Sequence, residues 1–142
     1  MNTEQIETAL AHCKPLFLGV FSSDNLPHKP GLMVVNTDPA FMPGTHWIAI
    51  YNDGVRGEYF DSLGMEPTPT FRQYLNTHCK HWTFNDKQLQ SVTSRFCGHY
   101  CVLFCLLRCR GENMRRIVSC FTRDTGLNDV LVHNFVCRNK IV

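Results

Sequence analysis

Charge is scarce in this sequence. Asp, Glu, Lys and Arg make up 18% of the residues and sum to a formal +2, with no like-charged block longer than Arg108-Cys109-Arg110 or Arg115-Arg116. Such a mild balance excludes a nucleic-acid platform as the main function and leaves DNA as a weak, secondary partner. No apolar run approaches the roughly 18–20 residues of a membrane span. The N-terminus, Met1-Asn2-Thr3-Glu4-Gln5, opens acidic and polar, unlike a signal peptide. We therefore expect no membrane partner, no secretion, and a place in the cytosol or nucleus of a host. Repeats, low-complexity segments and linkers are also missing, which excludes a solenoid and points to a single domain over residues 1–142. Metal-ligand spacings are missing too. Despite eight cysteines and seven histidines, no CxxC or HxxxH pair occurs, so no metal site is expected; a cysteine-based metal scaffold is the weaker alternative.

What is present is apolar matter and cysteine. Hydrophobic residues make up 44% of the 142, enough for a real core. Cys97, Cys101, Cys105 and Cys109 recur at steps of four, so on a helix they form one slowly turning stripe whose members cannot readily bridge to one another. The first of them stands apart. It follows the polar lead-in Gln88 to Phe96 and opens, with Gly98, the apolar run Tyr100 to Leu107. At such a helix start, free backbone N–H groups and the helix dipole lower a thiol pKa from about 8.5 toward roughly 3.5–7.5. Cys97 is the candidate nucleophile, although taken alone it reads more readily as one more buried cysteine.

Its partners come from a hairpin. His46-Trp47-Ile48-Ala49-Ile50-Tyr51 reads as a strand, Asn52-Asp53-Gly54 as a tight turn, and Val55 to Asp61 as the returning strand. His46 at its start and Asp61 at its end fall across from one another within a residue or two of register, so an imidazole and a carboxylate can meet. Glu58, three residues earlier and on the opposite strand face, is the competing acid. A nucleophile, a base and an orienting acid are the components of covalent acyl transfer. The oxyanion would be met by the Cys97 backbone N–H and by a neutral amide upstream, for which Gln88 and Gln90 both qualify by type. Trp47, beside the base, reads either as a cleft wall or as a core residue.

Elsewhere the pattern predicts helices over Glu4 to Cys13 (capped by Asn2), Thr68 to Cys79, Glu112 to Phe121 and Leu127 to Cys137. Strands are predicted over Leu16 to Phe21, Leu32 to Asn36 and His81 to Phe84, with proline-bearing loops over Ser22 to Gly31 and Asp38 to Gly44. The fold class is α+β: a central mixed or antiparallel sheet around the His46–Asp61 hairpin, flanked by helices, with the Cys97 helix against it.

Phe17-Leu18-Gly19-Val20, Val35-Asn36-Thr37, Gly44-Thr45-His46-Trp47, Tyr59-Phe60-Asp61-Ser62-Leu63-Gly64 and Gln90 to Gly98 resemble, in order, the blocks of the adenovirus-type cysteine endopeptidases. Those enzymes are distant relatives of the ubiquitin-like-protein proteases. The resemblance spans roughly residues 16 to 110 and implies the catalytic order His46, Asp61, Gln90, Cys97. It favours Gln90 over Gln88 and Asp61 over Glu58. The adenoviral acid is a glutamate where Asp61 stands, whereas aspartate is usual in the ubiquitin-like-protein branch. The chain is also shorter than the adenoviral enzymes, closer to what a virophage or Polinton-type element would encode.

The resemblance implies an endopeptidase that matures viral capsid or core precursors at glycine-containing sites and is itself packaged in the virion. The alternative substrates are ubiquitin or SUMO conjugates of the host; a non-catalytic binding module on the same fold is the second alternative. No cofactor is needed for the chemistry. An activating peptide, disulfide-bonded to a cysteine in the neighbourhood of Cys79, or DNA, is what the adenoviral branch implies as an aid. An incidental thiol is the competing reading of Cys79.

Overall fold

A computed structural model describes residues 1–38 and 46–139. The expected loop over 39–44 and the Gly44-Thr45 part of the block before His46 lie outside the described residues. Five strands form one sheet in the order β1 (Phe17–Ser22), β2 (Gly31–Asn36), β3 (Trp47–Asn52), β4 (Arg56–Phe60), β5 (His81–Phe84). The two outer pairs are parallel and the inner ones antiparallel, so of the two sheet types expected it is the mixed one. Among the described residues five α-helices surround it: α1 (Thr3–Leu10), α2 (Pro69–His78), α3 (Cys97–Cys109), α4 (Met114–Ser119) and α5 (Thr125–Asn139).

Both faces of the sheet are covered. On one side Leu32, Val34, Ala49 and Phe60 meet the apolar faces of α1, α3, α4 and α5; on the other Met33, Val35, Ile48, Ile50 and Tyr59 meet Phe71, Tyr74 and Leu75 of α2. A strand packed on both faces shows no polar alternation, which is why Leu32 to Val35 is a continuous apolar run. At roughly 1.5–3 kcal/mol per buried large side chain, this double layer supplies most of the driving force for folding. The segment 23–30 carries the chain back along the sheet between its parallel strands, and the Tyr74 hydroxyl pins it by donating to the Pro27 carbonyl.

Local signals place the hairpin. Asp53 Oδ1 accepts from the Val55 and Arg56 amides at 2.9 and 2.7 Å, and Gly54 turns the corner at φ 88°, a conformation that favours glycine. Asn2 caps α1 in a reciprocal pair with Gln5. That helix stops at Leu10 rather than Cys13, giving way to a 3-10 turn over Ala11–Cys13. Leu10 itself leaves helical dihedrals (φ −108°, ψ 6°), and Lys14 before Pro15 is extended (ψ 146°), which ends the 3-10 turn in its place.

α3, the longest apolar helix, crosses behind β3 with Tyr100 to Leu106 buried. No helix is long and apolar enough to cross a membrane among the described residues.

Candidate active site

Continuing the register of β3 and β4, in which Ala49 faces Phe60, puts Asp61 opposite Ile48, two residues from His46. That offset is diagonal and on the same face, within reach of long side chains. The result is a 2.7 Å hydrogen bond from His46 Nε2 to Asp61 Oδ1. Asp61 is 4% exposed, and its Oδ1 also accepts from the Leu63 amide at 2.9 Å. With Nε2 committed to the carboxylate, Nδ1 is the nitrogen left for a proton from elsewhere.

The start of α3 brings Cys97 to the same place. Its thiol is half-buried and hydrogen-bonds to the His46 ring and to the backbone amides of Trp47 and Gly98. Burial raises its pKa, but those bonds and the imidazole charge more than offset this, and the thiol falls below its ordinary value. The histidine moves the opposite way. Burial disfavours its charged form, yet the bonds to Asp61 and Cys97 prevail and push it up from 6.5 to about 9. Both shifts favour a thiolate–imidazolium pair over a neutral one.

The other thiols of the stripe differ. Cys101 and Cys105 lie wholly inside the core, and burial drives both well above the usual thiol range. Cys109 is exposed at the far end of α3.

Gln90 is 3% exposed. Its Oε1 accepts from the Ser62 hydroxyl, its backbone N–H donates to the Ser62 carbonyl at 3.0 Å, and one Nε2 proton goes to the Ser94 carbonyl at 3.0 Å. The second Nε2 proton is uncommitted by these bonds. Gln88 is exposed and spends its amide on the Gln90 carbonyl at 3.0 Å. Glu58 faces away from the histidine, bound by Arg108 at 2.9 Å and the Met114 amide at 3.1 Å. Of the four residues named from the sequence, His46 is bonded to Asp61 and acts on the Cys97 thiol, and Gln90 is locked by the residue that follows Asp61. Cys79 is apart from them. It caps the C-terminus of α2 with its thiol against Gly57, and burial pushes its pKa up.

Asn85 and the role of Ser62 escaped sequence reasoning, as did the backbone role of Trp47. Asn85 holds Asp61 at both backbone groups, accepting from its N–H at 2.8 Å and donating to its carbonyl. Ser62 orients Gln90 as described. Trp47 lends its backbone amide to the thiolate, while its ring lies against Gly98 and its Nε1 donates to the Met1 carbonyl at 3.1 Å. The only sequence signal for Ser62 was its place beside Asp61. Gly64 in the same block has a visible reason: it adopts φ 72°, and a Cβ there would come within 2.7–2.9 Å of the Lys87 and Gln88 backbone. The acid's loop and the lead-in to Gln90 are thus packed backbone to backbone. Among the described residues no group of three or more His, Cys, Asp or Glu is placed to hold a metal ion.

No family model matches the chain, and no curated protein matches it either. Its three-dimensional form is matched by the crystal structure of the ASFV pS273R protease, with a TM-score of 0.60 at 18% identity over 90% of this chain and 63% of that one. The chain shares that protease's fold. This is the ubiquitin-like-protein-protease type that the sequence blocks implied. A selenomethionine structure of pS273R gives a TM-score of 0.49 at 23% identity over 77% of this chain and 45% of that one. The chain spans less than two thirds of the length of pS273R.

Proposed function

We propose that the chain is a thiol protease acting through an acyl-enzyme at Cys97. The observation that carries this reading is the 2.7 Å hydrogen bond between His46 Nε2 and Asp61 Oδ1, with the same imidazole drawing the half-buried Cys97 thiol below its ordinary pKa. The thiolate attacks the scissile carbonyl carbon. Negative charge passes to its oxygen, where the Cys97 backbone N–H and the uncommitted Gln90 Nε2 proton stabilise it. As the C–N bond breaks, imidazolium His46 gives its Nδ1 proton to the departing amine, leaving a thioester. Water then attacks the thioester with neutral His46 taking its proton, and the sulfur departs as thiolate with the product acid.

Asp61 fixes the ring's tautomer and favours its charged form throughout. The substrates are viral capsid or core precursors, cut where small residues, glycine in particular, stand next to the scissile bond. This follows the adenovirus-type resemblance of the sequence blocks, with Trp47 as one wall of the cleft. The second reading, removal of ubiquitin or SUMO from host conjugates, draws on the Asp61 identity, which is that of the ubiquitin-like-protein branch.

Co-expression of candidate precursors with the parent or with Cys97→Ala, followed by mass spectrometry, tests the reading. New termini next to glycine are expected with the parent and not with the variant. Equal cleavage by both would refute catalysis by Cys97, and rapid Cys97-dependent turnover of labelled ubiquitin or SUMO would shift the substrate to the host conjugates. Iodoacetamide should label Cys97 at neutral pH faster than an ordinary exposed thiol and leave Cys101 and Cys105 unmodified in the folded protein.

A further inference from the structure

Gln90 lies in a loop, yet both of its chain neighbours are fastened to α5. The Leu89 carbonyl accepts from Asn128 Nδ2 at 3.1 Å and lies 3.2 Å from the Tyr100 hydroxyl; the Ser91 amide donates to Asp129 Oδ1 at 3.4 Å. The single Tyr100 proton goes to Asp129 Oδ1, the charged and closer acceptor at 2.8 Å. The Leu89 carbonyl therefore depends on Asn128.

Asn128 is itself immobilised. Its Oδ1 accepts from the Thr122 amide and hydroxyl at 2.9 and 3.1 Å, and its other Nδ2 proton goes to the Thr122 carbonyl at 2.8 Å. An amide flip would set donors against donors, so only one orientation satisfies the set. Asn128 and Asp129 are 0% and 6% exposed. Burying an amide and a carboxylate costs free energy unless every polar atom finds a partner, and apolar side chains would seat the helix more cheaply. What the polar pair adds is a fixed position for the backbone on either side of Gln90.

The remaining side of Gln90 is held by Ser62, through the side-chain oxygen and the backbone amide. Ser62 sets which way the amide faces, and α5 sets where the loop carrying it stands.

We infer that Asn128 and Asp129 are positioning residues for the oxyanion site: α5 holds Gln90 in register with Cys97 by gripping Leu89 and Ser91. The inference rests on the protease reading above. It makes α5 part of the catalytic apparatus, although neither residue touches the reacting atoms.

The test separates oxyanion stabilisation from nucleophile activation. Alkylation of Cys97 by iodoacetamide needs the thiolate but no oxyanion donor. Hydrolysis of a fluorogenic peptide ending in Gly-Gly needs both, and a peptide aldehyde of the same sequence forms a tetrahedral adduct that reports on the oxyanion site. In Asp129→Ala, kcat should fall about tenfold and aldehyde affinity by the same factor, with KM and the alkylation rate within about twofold of the parent. Asp129→Asn keeps an oxygen for Tyr100 and Ser91 and should recover kcat to within about threefold of the parent. If Asp129→Ala does not fold, Tyr100→Phe, which keeps the ring and removes the proton that fixes Asp129, should show the same split. The inference is overturned if alkylation falls in step with kcat, since that is general loosening, or if kcat and aldehyde affinity stay at parent values. A parent that neither hydrolyses the peptide nor binds the aldehyde refutes the protease reading and the positioning role with it. An active parent with unaffected variants refutes the positioning role alone.

Discussion

Replacing Asp61 by asparagine should cost far less than replacing it by alanine, and the reason lies in its partners. Asp61 Oδ1 accepts from both His46 Nε2 and the Leu63 amide. An asparagine oxygen can take the same two bonds, and the Leu63 N–H disfavours the flipped amide. Asn85 holds the backbone at both polar groups, so the position does not move when the side chain changes. What asparagine loses is the charge. Raising the imidazole from 6.5 to about 9 corresponds to ~3 kcal/mol in favour of the charged ring. The His46 side chain is 19% exposed, and solvent screening trims that figure somewhat. A neutral acceptor keeps roughly half the strength of a charged one.

We therefore expect kcat/KM at neutral pH to fall about tenfold in Asp61→Asn and about 10²–10³-fold in Asp61→Ala. Peptide hydrolysis and iodoacetamide labelling from pH 5.5 to 10 would measure both, and the apparent thiolate pKa of Cys97 should rise in each variant. The sign for stability follows from the elevated histidine. Its contribution is complete below about 6.5 and is lost as pH rises through about 9, so the Tm deficit of Asp61→Asn should be widest near pH 6 and narrow toward pH 10. Equal losses in the two variants, or an unmoved labelling profile, would refute the reasoning.

Two further substitutions probe the scaffold. A Cβ at Gly57 would stand 2.5 Å from the Cys79 sulfur, so Gly57→Ala should destabilise by about 1–3 kcal/mol in urea unfolding and Cys79→Ala should restore part of it; an unchanged midpoint would show that α2 yields freely. Arg108 pairs with Glu58 at 2.9 Å and lies 3.8 Å over the Tyr51 ring, so Arg108→Met should cost about 1–3 kcal/mol by leaving a part-buried carboxylate without its cation. Adding Glu58→Gln should recover part of that loss, and no recovery would mean that the stacking on Tyr51 matters more than the charge pair.

The parts of the site legible in the sequence are those specified by neighbours in the chain. Asn52-Asp53-Gly54 closes its turn with bonds spanning two or three residues, so the His46–Asp61 pairing followed from strand lengths alone. Cys97 announced itself by the change from polar lead-in to apolar run. The choice between Gln88 and Gln90 was different. Both are glutamines in one loop, and what separates them is that Gln90 is buried against Ser62 and held through Leu89 and Ser91, contacts made 28 to 39 residues away. Asn85 escaped for the same reason, since its bonds to Asp61 span 24 residues. Asn128 and Asp129 were harder still. Adjacent polar residues near the start of a helix read as a solvated face, and only the folded partner shows that this face is turned inward. The end of α1 was misplaced because apolar periodicity does not tell a closing 3-10 turn from the α-helix it follows.

α3 begins without a capping side chain: Phe96 occupies the cap position, and the first helical hydrogen bond runs from the Tyr100 amide to the Phe96 carbonyl. In most helices a serine or aspartate would be the stabilising choice at such an end. Here a capping oxygen would compete for the Gly98 amide, which in the proposed mechanism serves the sulfur. On the proposed mechanism the helix is left unfinished on its own account and would be completed by the reacting substrate. A stability-driven redesign that placed a good cap at Phe96 would yield a firmer fold and a poorer catalyst, the trade-off expected where folding and function draw on the same hydrogen-bond donors.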